Sequence, residues 1–255
     1  MDPWNALLLF VAAVAAGALN AVAGGGTFFT FSALVATGMP AVAANATSTA
    51  ALWPGSIAGL AAYRHEARSH WQRFVVLGLV SLVGGALGAW ALLVIQETTF
   101  EAMVPWLLLG ATVLFGFGPQ IRKIVRRVGE LGTGAAGRVG PALGLAFQFL
   151  VAIYGGFFGA GLGILMLAAL TLTEKGDFHV ANAAKTLLAV LINGVAVALF
   201  VFGGLVHVPE AIVMLVGAVA GGYGGVAAAR RVPEPILRGV VVTIGITLSL
   251  YFFFR

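Results

Sequence analysis

Residues 141–172 read PALGLAFQFLVAIYGGFFGAGLGILMLAALTL. The run has no charged residue, and as one straight helix it would be about 48 Å long, against a bilayer core of about 30 Å. Glycines interrupt it around Gly155-Gly156 and at Gly159-Ala160-Gly161-Leu162-Gly163. Such clusters end helices, because glycine loses the most backbone freedom on ordering and covers no neighbouring backbone. The stretch therefore reads as a helix, a break and a shorter half-helix. Residues 5–37 form a second run of this kind, broken by Gly24-Gly25-Gly26.

The rest of the chain carries simple apolar runs at roughly 41–63, 74–95, 102–118, 179–203, 211–229 and 239–254. Each is long enough to cross a bilayer once, the shorter ones extending into the interface. Composition agrees: 60% of the 255 residues are hydrophobic and only 9% charged, against about 25% charged in a soluble domain. So few charges could not cover a surface in water, which excludes a soluble enzyme, a nucleic-acid binder or a disordered tail. The first residues, Met1-Asp2-Pro3-Trp4-Asn5, lack a basic start, so the first apolar run is expected to be a permanent part of the fold rather than a cleaved signal. With no cysteine, disulfides, thiolate metal sites and cysteine nucleophiles are excluded.

An internal repeat relates the two broken runs. At an offset of 137, Ala44-Asn45-Ala46-Thr47-Ser48-Thr49 meets Ala181-Asn182-Ala183-Ala184-Lys185-Thr186, His70 meets His207, Gly84-Gly85 meets Gly221-Gly222, Gly88 meets Gly225 and Glu97 meets Glu234. Upstream, an offset of 135 sets Gly24 on Gly159 and Gly26 on Gly161.

Charge gives the orientation. The loops at 64–73 (Arg64, Arg68, Arg73), 119–140 (Arg122, Lys123, Arg126, Arg127, Arg138) and 229–238 (Arg230, Arg231, Arg238) are basic, whereas 96–101 and 204–210 carry only Glu97, Glu101 and Glu210. Lys/Arg excess marks the cytoplasmic side. Residues 141–172 must then start and end inside, and 5–37 enter and leave outside. Each repeat becomes one re-entrant or hairpin element plus three spans, and an odd span count inverts the second copy. The reading is an all-α integral membrane protein of two inverted-topology repeats, 1–118 and 141–255, joined by a basic cytoplasmic connector at 119–140, with both termini outside. Inverted repeats with discontinuous helices are a transporter architecture.

Candidate site residues follow. Gly24, Gly25 and Gly26, and Gly159 and Gly161, set half-helix N-termini at membrane depth, where unpaired N–H groups and a positive dipole end favour an anion; close packing or a hinge is the plainer reading. Asn45 and Thr49 share one helix face, as do Asn182 and Thr186, with Ser48 and Lys185 at equivalent positions. These amides and hydroxyls either line a solute path or clamp helices together. Lys185 is the charge placed well inside an apolar run, with no carboxylate at similar depth. It either holds an anionic ligand or snorkels to the interface. Gly217, Gly221 and Gly225, and Gly84 and Gly88, recur every fourth residue and read as helix packing. His65, His70, His179 and His207 lie near span ends without metal-site spacing, so neither metal nor cofactor is expected.

Gly17-Ala18-Leu19-Asn20-Ala21-Val22-Ala23-Gly24-Gly25-Gly26-Thr27, then Gly38-Met39-Pro40 and Ala44-Asn45-Ala46-Thr47-Ser48, resembles the start of the TauE/SafE family of sulfite exporters. Ala183-Ala184-Lys185 leading to Asn193, Phe202-Gly203-Gly204-Leu205-Val206 and the glycine pairs are similar to its second half. One departure is Asn45-Ala46, where a Gly-Thr pair is common in the family. The resemblance implies a multi-pass permease of the bacterial inner membrane exporting sulfite or an organosulfonate such as sulfoacetate. Its partners would be that small anion and the lipid bilayer; homo-oligomerisation stays open. The alternatives from the residues are a permease for another small solute, or an intramembrane enzyme using Ser48 and Lys185 as a dyad if they lie close in space.

Overall fold

The computed structural model describes residues 2–22, 26–62, 71–118, 120, 139–173, 178–229 and 234–254. The described residues form ten principal helices and no strand: α1 (Pro3–Val22), α2 (Thr27–Ala36), α3 (Ala41–Ala62), α4 (Trp71–Val94), α5 (Glu97–Gly116), α6 (Val139–Phe157), α7 (Leu162–Thr173), α8 (Phe178–Phe202), α9 (Val208–Ala229) and α10 (Glu234–Phe253). The six single runs each become one helix. Both long runs break: α1 stops at Val22 and α2 starts at Thr27, and α6 stops at Phe157 and α7 starts at Leu162. The break in the second run comes later than Gly155-Gly156, which stay helical. A Cβ on Gly156 would lie 2.1 Å from the Gly85 carbonyl oxygen, so these two glycines serve close packing. The basic loops lie largely outside the described residues.

The exterior is apolar. On α4, Val75, Val76, Leu79, Val83, Leu87, Trp90 and Val94 are exposed at three- and four-residue spacing, one lipid-facing stripe. Pro3–Asn20, Phe74–Val94 and Ala183–Phe202 are long and apolar enough to cross a membrane by themselves. In α3 the pattern is turned inward: Ala41 to Ser48 are all buried, including Asn45, Thr47 and Ser48. A helix this polar crosses lipid only when its polar groups face protein.

Glycines fix which helices touch and in which direction. Cβ atoms on Gly84 and Gly88 of α4 would lie 2.8 and 2.0 Å from the carbonyl oxygens of Phe149 and Ile153 in α6. Four residues forward on one helix is four forward on the other, so α4 and α6 run parallel. Gly217 and Gly221 of α9 meet the carbonyls of Phe10 and Val14 in α1 at 2.6 and 2.0 Å in the same way. By contrast α5 and α10 run antiparallel, since Gly116 faces Val242 while Thr112 faces Gly245. The rings of Trp106 and Phe253 extend that register at 4.9 Å. Further close pairs are α4 with α8, α3 with α8, and α3 with α9. The core between them holds Phe28, Phe31, Phe100, Phe158 and Phe200, all fully buried. Phe31 meets Phe158 edge-on at 5.7 Å and Phe100 meets Phe157 at 5.6 Å, which seats the α6–α7 break against α2 and α5.

Candidate functional site

The α6–α7 break is built by local chemistry. Gly159 and Gly161 have φ of +75° and +73°, a region that costs any residue with a Cβ about 1 kcal/mol or more. Gly159 closes α6, its N–H donating to the Tyr154 carbonyl at 3.1 Å, a glycine C-terminal stop. Leu162 N–H donates to Gly159 O at 3.2 Å and Ile164 N–H to Gly161 O at 3.0 Å, which opens α7. The Tyr154 hydroxyl donates across the break to Ala160 O at 2.6 Å. The irregular backbone is thereby held by protein groups.

Two predicted residues reach this break from different helices. Asn45 of α3 is 1% exposed, and its Nδ2 donates to the Phe157 carbonyl, the last residue of α6, at 2.8 Å. Lys185 of α8 is half-buried. Its Cδ lies 3.7 Å from where a Cβ on Gly163 would stand, so its stem runs along the first turn of α7. The break from Phe157 to Gly163 is thus bracketed by an amide and a cation.

The other candidates are placed as follows. The Ser48 hydroxyl, fully buried, pairs with Thr30 of α2 at 2.6 Å. Thr49 turns its hydroxyl back to the Asn45 carbonyl at 2.9 Å within α3. At the first break, Gly26 precedes α2 and its N–H donates to Asn20 Oδ1 at 2.8 Å, so that amide already has an acceptor. Gly24 and Gly25 lie outside the described residues, as does the side chain of Asn182. Thr186 lies one position beyond Lys185 on α8, and both have interactions within the protein.

Several residues are apparent only in three dimensions. Thr30 supplies the Ser48 partner, and Tyr154 ties the break. Trp53 of α3 donates its indole N–H to Val190 O of α8 at 3.0 Å, pairing two positions that the 137-residue offset makes equivalent. Gln148, the single amide in the 141–172 run, is fully buried and donates to Ser81 of α4 at 2.9 Å. Glu97 of α5 accepts the N–H groups of Ala41 and Val42 and so caps α3, the helix that carries Asn45. Gln148 and Tyr154, polar residues in the largely apolar 141–172 run, carried a signal not taken up from the sequence; nothing local marked Glu97 as a cap for a helix 56 residues earlier.

Residues 9–252 match the family model "Sulfite exporter TauE/SafE". The chain belongs to the TauE/SafE family. It is 30% identical over 243 residues to a probable membrane transporter protein of Haemophilus influenzae, covering 95% of this chain and 92% of the relative. It is 27% identical over 244 residues to the probable membrane transporter protein ORF9 of a Sinorhizobium species (95% and 90%), and 26% identical over 247 residues to the probable membrane transporter protein YfcA of Escherichia coli K12 (95% and 87%). No solved structure matches. Family membership and the apolar helices make this a multi-pass membrane protein of the transporter class.

Proposed function

We propose that this TauE/SafE member exports a small sulfur-containing anion, sulfite or an organosulfonate, across the bacterial inner membrane without converting it. The observation that carries the reading is the Lys185 stem on the first turn of α7, beside a break whose turn is set by the left-handed Gly159 and Gly161. A cation and the N-terminus of a half-helix converge there, and both favour an anion. Asn45, Ser48, Thr49, Asn182, Thr186 and the glycines Gly24, Gly25 and Gly26 are assigned to the path of the same solute. The membrane potential, negative inside, favours anion exit by about 2.3 kcal/mol per charge per 100 mV.

The same reading takes 1–118 and 141–255 as inverted repeats about the 119–140 connector, with both termini outside. The helix directions support it. The charge-derived topology requires α1 and α9 to run the same way, α4 and α6 the same way, and α5 and α10 oppositely, and their glycine registers have those senses. The packing supports it too, since α1 on α9 mirrors α6 on α4, and α2 on α3 mirrors α7 on α8.

Purified protein should be stabilised thermally by sulfite or a sulfonate, and proteoliposomes should pass the same anion unchanged. Lys185→Gln should strongly weaken both while the protein still inserts, and by more for a dianion than for a monoanion, since Coulomb energy scales with charge. Near wild-type transport by Lys185→Gln would mean that the lysine only snorkels, and would overturn the assignment.

A further inference from the structure

Asn45 holds an unmet acceptor. Its Nδ2 is committed to the Phe157 carbonyl, which fixes the amide: turned over, Oδ1 would face a carbonyl oxygen, acceptor against acceptor. In the fixed orientation Oδ1 is buried and has no hydrogen-bond partner among the described residues. The hydroxyls three and four residues on along α3 are otherwise engaged, Ser48 with Thr30 and Thr49 with the Asn45 backbone carbonyl. A buried amide oxygen left unpaired carries its desolvation cost uncompensated, and a ligand that brings a donor recovers it.

We infer that the transported solute carries a hydrogen-bond donor as well as its negative charge, the donor going to Asn45 Oδ1 and the anionic end to the Lys185 side of the α6–α7 break. This rests on the anion reading above and narrows it. A solute lying along Phe157 to Gly163 meets an acceptor at one end and a cation at the other. Hydroxy- and amino-alkanesulfonates have this polarity. Sulfoacetate, with a carboxylate in place of the donor, would set charge against the Asn45 oxygen and ranks below them. Oδ1 is covered in the present arrangement, so the donor reaches it as the side chains around it shift while the Nδ2–Phe157 bond is kept.

The test is a matched pair, 2-hydroxyethanesulfonate and propane-1-sulfonate, which differ by a hydroxyl in place of a methyl. Titrated into the full-length protein in detergent, the hydroxy compound should bind about tenfold more tightly or better, a difference of about 1.4 kcal/mol. Asn45→Leu should bring the two within about twofold, chiefly by weakening the hydroxy compound, whereas Lys185→Gln should weaken both and keep their ratio. Equal affinities in the unmodified protein would overturn the inference and leave the anion site standing. Binding of neither sulfonate would overturn the anion reading, and this inference with it. The comparison in the unmodified protein decides the matter even if Asn45→Leu does not fold.

Discussion

Gly88→Ala is the sharpest probe of how the break is seated. A Cβ at Gly88 would stand 2.0 Å from the Ile153 carbonyl oxygen and 2.8 Å from the Phe157 nitrogen, both backbone atoms of α6. Ordinary carbon–oxygen contact needs about 3.3 Å or more, so α4 and α6 must separate by about 1 Å or tilt. Neither atom can turn aside as a side chain would. Overpacking of this kind costs about 1–3 kcal/mol, opposed by the gain of up to about 1 kcal/mol from replacing a helical glycine with alanine. Gly110→Ala isolates that opposing term, because a Cβ there meets nothing within 4 Å. In detergent, Gly88→Ala should melt several degrees below Gly110→Ala, at about 2–4 °C per kcal/mol for a chain of this size. It should also lose anion-induced stabilisation, because the displaced atoms sit at the end of α6 where the break begins. Equal melting temperatures for the two variants would refute the parallel α4–α6 contact, and with it the register that sets the direction of α4 against α6.

Trp53→Phe removes the donor to Val190 O and the part of the indole that packs over Gly194; the hydrogen bond alone accounts for about 0.5–1.5 kcal/mol and the lost packing adds to it, read as a drop in melting temperature that Gly110→Ala does not share. Glu97→Ala strips the cap from α3 and should cost about 1–2 kcal/mol, while Glu97→Gln, which keeps an acceptor, should cost less; equal losses in a detergent unfolding titration would argue against capping. Single cysteines at Gln96 and Gly134, in this cysteine-free chain, should react with an impermeant maleimide from opposite sides of the membrane, and labelling from one side would contradict the inverted topology.

Most of the helical layout was legible because bilayer thickness leaves few solutions. A run of about 20 apolar residues has one reading, and 41–63 and 179–203 became α3 (Ala41–Ala62) and α8 (Phe178–Phe202). Break positions were legible to within a few residues, since glycine clusters are strong stops. Between two clusters separated by only Phe157 and Phe158, though, composition does not say which one stops the helix. Gly155-Gly156 continued α6 because a neighbouring backbone, at Gly85, needed the space that a Cβ would fill. That requirement belongs to α4 and is invisible in the α6 sequence.

The candidate site was legible by residue type and much less by pairing. Polarity in an apolar run marked Asn45, Ser48 and Lys185, but the partners came from other helices: Phe157 for Asn45, Thr30 for Ser48, Gly163 for Lys185. The repeat frame put Ser48 and Lys185 at equivalent positions, and the structure gives them different surroundings. Ser48 is fully buried and paired with a hydroxyl, whereas Lys185 is half-buried on the first turn of α7. A second lysine at position 48 would have to be desolvated against Thr30, in a core where burial of an ammonium costs several kcal/mol. Position 185 can therefore carry a charge where position 48 stays neutral, and the break draws its neighbours from both ends of the chain: the amide from α3, the cation from α8 and the broken backbone from α6 and α7.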